Sequence, residues 1–191
     1  MAIDAITYKA PSVFPGDLTR PESPFITEVG YQLAATPVTL FGVPVAMDST
    51  TGYYRLIASG DVISNNASGP AASPYITVVG FSVRSFPTQA ASNTAIGTAG
   101  PLATETLTIL KEGYIGVNVY GSGTAPKKGG AVYVGTVANA GVTAVGRISS
   151  ASDSGNSFII LGAHFTGGVD SNGNAEIYFR APSNTLAGTG I

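Results

Sequence analysis

From residue 38 onward the chain is a succession of short runs rich in Val, Ile, Thr, Tyr and Phe, separated by clusters of Gly, Asn, Asp, Ser and Pro. Runs of this kind predict β-strands, and the clusters between them predict turns. The predicted strands cover residues 38–47, 53–58, 75–84, 106–111, 114–120, 131–137, 157–165 and 175–180. The dipeptide Glu112-Gly113, between the fourth and fifth runs, predicts a compact hairpin.

Helical patterning is nearly lacking in the sequence. Residues 89–103 and the C-terminal tail are the places where a helix could form, and Ser, Asn, Thr and Gly weaken the first of them. Many short strands without a long helical run predict an all-β fold, either an antiparallel β-sandwich or a jelly-roll-like barrel. A chain of 191 residues has the usual length of one domain.

The first thirty residues differ from the rest, because they hold four of the twelve prolines and six charged side chains. Proline fixes φ and forces the residue before it into extended conformations. We therefore predict an extended N-terminal arm over residues 1–30, followed by one β-sandwich domain over residues 31–191. An arm would bind a neighbouring subunit, whereas the alternative is a loop that packs on its own domain. The candidate partner-binding residues are Phe14, Pro15, Leu18, Arg20, Pro24 and Phe25.

Charged residues make up only 10% of the chain, and nine Lys and Arg oppose eleven Asp and Glu. Nucleic acids and anionic membranes are bound by clustered cations, so neither is an expected partner. No apolar run approaches the ~20 residues of a membrane-spanning helix. The chain has no cysteine, which fits a reducing cytoplasm or a particle that is insensitive to redox state. The first residues lack the charged and apolar regions of a signal peptide.

No residue pattern in the sequence predicts catalysis or metal binding. The one histidine in the sequence, His164, lies in an apolar run, where a strand histidine is expected rather than a catalytic base. Residues 170–176 resemble a calcium loop but have glycine and glutamate at the wrong positions, so a turn is expected. Residues 121–128 lack the second glycine of a phosphate loop. Residues 66–68 form a glycosylation sequon that should stay unmodified. We predict no catalytic residue, no metal and no cofactor, and hence no enzyme.

The order of several segments resembles the structural cement (capsid decoration) proteins of tailed bacteriophages. The segments are PVTLFGVPVA at 37–46, VGFSVR at 79–84, LKEGYIGV at 110–117, KGGAVYV at 128–134, GAHF at 162–165 and NAEIYF at 174–179. The resemblance implies a jelly-roll-like protein, often a trimer, that binds the outer surface of the assembled capsid and clamps neighbouring major capsid protein subunits without catalysis. It also implies a location on the virion, after synthesis in the cytoplasm of the bacterial host. No binding residue can be transferred from the family to a position here.

The sequence is therefore compatible with two classes of function. The first is a non-enzymatic protein that cements the capsid, with the major capsid protein and copies of itself as partners. The alternative is a β-sandwich module of a phage particle that binds a carbohydrate or a receptor. Nine tyrosines could serve as stacking platforms for sugars, but the chain has no tryptophan. Copy number separates the two classes, since a cement protein covers the shell and a receptor binder does not.

Overall fold

The computed structural model describes residues 13–48, 50–63, 75–84, 100–101, 106–121 and 124–182. Within these ranges the chain forms strands and turns and no helix. The strands are β1 (Ile26–Tyr31), β2 (Pro44–Met47), β3 (Tyr54–Leu56), β4 (Val62–Ile63), β5 (Tyr75–Ile76), β6 (Val78–Ser82), β7 (Thr106–Asn118), β8 (Ala131–Gly135), β9 (Ile148–Ser149), β10 (Ser157–Phe165) and β11 (Asn174–Arg180).

Nine of these strands form one sheet in which every pairing is antiparallel. Its order is β3-β2-β6-β7-β11-β10-β8-β9, and β1 pairs with β7 beside this path. The short strands β4 and β5 pair separately and run parallel. The predicted all-β antiparallel fold is therefore confirmed, while the jelly-roll arrangement stays a prediction. The possible helix at 89–103 and the sequon at 66–68 fall almost entirely outside the described residues.

The predicted hairpin at Glu112-Gly113 is wrong, because β7 runs without a turn from Thr106 to Asn118. The first half of β7 pairs with β1 and β6, and the second half pairs with β11. A hairpin would instead have paired the two halves with each other. Gly113 has a φ of 137°, a left-handed conformation that glycine adopts easily and that here fits a distorted strand instead of a turn.

A β-bulge beside Gly113 lets β7 serve two hydrophobic cores. Ile26 pairs with Glu112 while the next residue of β1 pairs with Leu110, so Lys111 is an extra residue on β7. One extra residue reverses which side chains face each side of a strand. Leu107 and Ile109 accordingly pack in one core cluster, and the odd-numbered residues after the bulge pack in the other.

The larger core is shared by seven strands of the long sheet, which must curve to bring their side chains together. It contains Phe81 of β6, Phe165 of β10 and Phe179 of β11, all with no exposed surface. The rings of Phe81 and Phe179 meet edge to face, 5.0 Å between centroids. The smaller core joins Val45, Tyr54 and the first half of β7. Burial of this many large apolar side chains supplies the main stabilisation of the fold.

No helix in the described part of the chain is long and apolar enough to cross a membrane.

Candidate interaction surface

Residues 13–20, called here the N-terminal segment, lie against the second half of β7. Leu18 forms an antiparallel bridge with Ile115. The amide of Gly16 donates to the carbonyl of Gly116 at 2.8 Å, and the amide of Gly116 donates to the carbonyl of Asp17 at 3.0 Å. The segment therefore extends the sheet by backbone hydrogen bonds, as a short added strand does.

Close approach of the N-terminal segment depends on the missing side chain of Gly116. A Cβ atom at this position would overlap the backbone carbonyl of Phe14 and the side chain of Val13. Gly116 lies in a regular stretch of β7, so the restriction comes from this contact and not from an unusual backbone angle. The amide of Arg84 also donates to the carbonyl of Gly16 at 2.8 Å, which fixes the segment on a second side.

Arg20 ends the N-terminal segment with a two-pronged ion pair. Its Nε and Nη2 atoms donate to the two carboxylate oxygens of Glu176 on β11, at 3.2 and 2.5 Å. The guanidinium also lies 4.3 Å from the ring centre of Tyr114. Burial raises the pKa of the Glu176 carboxyl, but hydrogen bonds from Arg20 and Thr166 outweigh burial and leave the pKa below its ordinary value. Paired donors and a stacked ring hold the guanidinium in one orientation.

We expect the variant Glu176→Gln to lower the melting temperature by a few degrees at pH 7, because the amide loses the charge that Arg20 pairs with. A carboxyl whose pKa is depressed by folding stabilises the fold above its unfolded pKa, about 4.3, and loses that contribution as the pH falls through the folded value. The difference between wild type and variant should therefore shrink as the pH falls below the unfolded pKa. Thermal unfolding of both proteins from pH 7 to pH 3 measures it, and a difference that stays constant would contradict the assignment.

The six candidate residues from the sequence occupy two different environments. Two of them, Leu18 and Arg20, contact strands of the protein's own sheet. Two others contact Arg84, which donates a hydrogen bond to the carbonyl of Pro15 and lies 5.9 Å from the ring centre of Phe14. Pro24 and Phe25 are exposed. Contact of these residues with a partner stays a prediction, and so does the division into an arm and a domain at residue 30.

An exposed apolar surface begins at Phe25 and follows β1. The side chains of Ile26, Val29 and Tyr31 are 57%, 61% and 67% exposed, far more than large apolar residues in a strand usually are. The ring of Tyr53 lies 5.9 Å from that of Tyr31. We call this set the apolar strip; its members are Phe25, Ile26, Val29, Tyr31, Met47 and Tyr53.

Contacts beneath the apolar strip hold β1 in place. The Glu28 carboxylate lies 3.2 Å from Nζ of Lys111, and a hydrogen bond from Tyr54 is the main reason that the pKa of Glu28 is lowered. Burial, reinforced by Glu28, raises the pKa of the Tyr54 hydroxyl. Gly30 allows the ring of Tyr54 to lie directly against the backbone of β1, since a Cβ there would be only 2.6 Å from the ring. The strip is thus presented on a fixed strand, which reduces the entropy lost on binding.

β1, which carries half of the apolar strip, was not among the strands predicted from the sequence. The run ITEVGY at 26–31 has the β-branched and aromatic composition of a strand. The prolines and charges before it favoured the prediction of an extended arm instead. Alternation of Thr27, Val29 and Tyr31 with Glu28 is the signal that could have identified the strand.

Among the described residues, the side chains with candidate chemistry make structural contacts. Asp170 accepts backbone hydrogen bonds from Asn172 and Asn174, at 2.8 and 2.9 Å, and so shapes the turn before β11. Glu176 points to Arg20 rather than into this turn. His164 is exposed on β10, with its ring 5.4 Å from that of Tyr178. Among the described residues no group of three His, Cys, Asp or Glu side chains could hold a metal ion.

Comparison with known proteins gives one family match and one similar fold. The family model described as structural cement protein (E217 gp24/Pam3 gp6), of phages, matches residues 4–180. The fold is similar to a chain in the solved structure titled "The capsid of Myoviridae Phage XM1", with a TM-score of 0.63 and 15% identity over 94% of this chain and 98% of that chain. At this identity the likeness concerns the fold. No curated protein sequence matches.

Proposed function

Because the chain belongs to the structural cement protein family of phages, which has a virion structural role, we propose that it binds the outer surface of the assembled capsid and holds neighbouring major capsid protein subunits together. The observation that carries this proposal is the apolar strip. Three of its six members belong to β1, and together the six expose large apolar side chains of the kind that protein partners cover. The family itself points to a structural role and not to catalysis.

The location of the strip suits a contact that bridges subunits. β1 pairs with β7, and in the described part of the chain no strand pairs with its opposite edge. Such an edge exposes unpaired backbone donors and acceptors as well as the apolar side chains. A capsid subunit could add a strand there, with backbone hydrogen bonds supplying affinity and the strip supplying specificity. Because charge is scarce in this chain, little of the contact would depend on ion pairs.

Cementing follows from binding that requires the assembled lattice. A ligand that binds only the assembled state of the shell stabilises that state by RT ln(1 + [L]/Kd), or about 2.7 kcal/mol per site at a hundredfold excess over Kd. A protein that contacts two subunits binds only where they are adjacent, so its binding energy opposes their separation. Repeated at every equivalent site of the shell, a modest energy per copy resists the pressure of packaged DNA.

We further propose that the bound form is a homo-oligomer, with three copies as the expected number. A closed ring satisfies the same contact in every copy and cannot grow into a fibre. The N-terminal arm would make these contacts between copies. Its exposed residues Pro24 and Phe25 and the residues that precede the N-terminal segment would take part. A trimer would multiply the capsid contacts of each arm and strengthen binding through avidity.

Copy number tests the proposed function against a receptor-binding module. We expect purified particles to carry on the order of hundreds of copies, in fixed ratio to the major capsid protein, because the closed shell repeats equivalent sites. Quantitative gel densitometry of purified virions measures the ratio, with a known tail protein as the internal standard. A count of a few copies per particle would favour a receptor-binding or carbohydrate-binding component and reject the cement role.

A further inference from the structure

A cavity of about 220 Å³ lies on the outer face of the sheet, where the N-terminal segment meets β7 and β10. Arg20, Tyr114, Lys128, His164 and Thr166 line it. All five side chains can donate hydrogen bonds, and two of them are cations. A cavity surrounded by donors is unusual in a chain whose net charge is −2, and it favours an anionic ligand.

The walls of the cavity are held by a row of aromatic rings that contact one another across three strands, one pair edge to face and the other tilted. His164 pairs in register with Tyr178, and Tyr178 pairs with Tyr114. Their ring centroids are 5.4 Å and 5.1 Å apart. Arg20 continues the row from the N-terminal segment, 4.3 Å from the ring centre of Tyr114. The donors are therefore positioned before a ligand arrives, which lowers the entropic cost of binding.

Of the two cations that line the cavity, Arg20 already faces the carboxylates of Glu176 and Glu22, so Lys128 carries the positive charge that a ligand can use. Glu176 accepts hydrogen bonds from Arg20 and from Thr166. Glu112 accepts a hydrogen bond from the Tyr178 hydroxyl at 3.0 Å and lies 3.7 Å from Arg180. No ion pair joins Lys128 to a carboxylate in the described ranges. The positive charge of Lys128 is thus available to a ligand, beside the N–H groups of Arg20 that Glu176 does not use.

We infer that this cavity binds a carboxylate, the side chain of an exposed Asp or Glu on the capsid subunit that the apolar strip contacts. The identity of the partner rests on the proposed function; the carboxylate site itself does not. Only the four residues 21–24 separate Arg20 from Phe25, where the strip begins. One partner surface can therefore cover the strip and insert an acidic side chain here. The planar guanidinium and the ammonium match a carboxylate with directed hydrogen bonds.

Sodium acetate is the probe for the site, with inorganic phosphate and chloride at equal ionic strength as comparisons. His164 is the one histidine of the chain, so its ring signals in an NMR titration are assigned without ambiguity. We expect acetate to shift them saturably and Lys128→Gln to weaken acetate binding about fivefold. The matched control is Lys127→Gln, the exposed neighbour that does not line the cavity. Equal shifts with chloride, no loss in Lys128→Gln, or tighter binding of phosphate than of acetate would overturn the carboxylate site.

Binding of the same proteins to undecorated capsids tests the partner. We expect Lys128→Gln to weaken capsid binding about three- to tenfold and Lys127→Gln to leave it unchanged. Saturable acetate binding together with unchanged capsid affinity in Lys128→Gln would overturn the assignment to a capsid side chain. If the wild-type protein does not bind capsids at all, the proposed function fails, and the acetate titration still decides whether the carboxylate site exists.

Discussion

Replacing Val29 and Tyr31 by lysine should weaken binding to undecorated capsids by about a hundredfold or more, because hot-spot residues at protein interfaces contribute about 2–4 kcal/mol each. Both side chains are more than half exposed, so the variant should fold with little change in melting temperature. The new charges would have to leave water when the strip is covered, which adds a desolvation cost. Co-sedimentation of the protein with purified capsids over a range of concentrations gives the affinities.

The matched control for the strip is the double variant Leu161→Lys and Val169→Lys. These residues are 44% and 40% exposed and belong to β10 and to the turn before β11, away from β1. The control should bind like wild type. Binding of the wild-type protein should also persist in molar NaCl, since screening weakens exposed ion pairs but not apolar burial. Full affinity in the strip variant, or complete release at moderate salt, would show that other residues hold the protein on the shell.

Replacing Gly116 by valine should dislodge the N-terminal segment from β7 and lower the free energy of unfolding by about 1–3 kcal/mol. The added Cβ overlaps the backbone of Phe14, and the hydrogen bonds of Gly16 and Asp17 to Gly116 would then lengthen or break. Amides that depend on this docking should exchange hydrogen faster, namely those of Gly16, Thr19 and Gly116. Hydrogen exchange followed by NMR measures each of them.

The control for this variant is Gly167→Val. Gly167 has no heavy atom within 4 Å of the position of a Cβ, and its φ is not in the left-handed region. The Gly167→Val variant should therefore unfold like wild type, and its amides should exchange hydrogen at the wild-type rates. If Gly116→Val leaves the three amides as protected as before, the close packing of the N-terminal segment on β7 is contradicted. Capsid binding by the same variant then reports whether a docked segment is needed for function.

Strands could be predicted from the sequence where apolar and polar residues alternate and strong turn residues lie at the ends. Residues 157–165 were predicted as a strand and form β10 with the same bounds, and β11 begins one residue before its prediction. Local composition was enough there because Gly and Asn clusters stop the strands on both sides. The same logic predicted an all-β fold.

Features that depend on distant pairing could not be predicted in this way. Glu112-Gly113 has the composition of a turn, but the pairing of β7 with β1 on one half and β11 on the other keeps it inside a continuous strand, beside the bulge at Lys111. The ion pair of Arg20 with Glu176 joins residues 156 positions apart, so no spacing rule reveals it. The apolar strip could not be predicted, because composition does not show which side chains of β1 remain uncovered after folding. Tertiary contacts decide such cases more than local propensity does.

Thermal melting of purified capsids, with and without this protein, tests the cement role most directly. Wild-type protein should raise the temperature at which the shell releases its contents, and the Val29→Lys and Tyr31→Lys variant should not. The control pair Leu161→Lys and Val169→Lys should protect the shell as wild type does. An unchanged melting temperature in capsids shown by densitometry to be fully decorated would contradict the account.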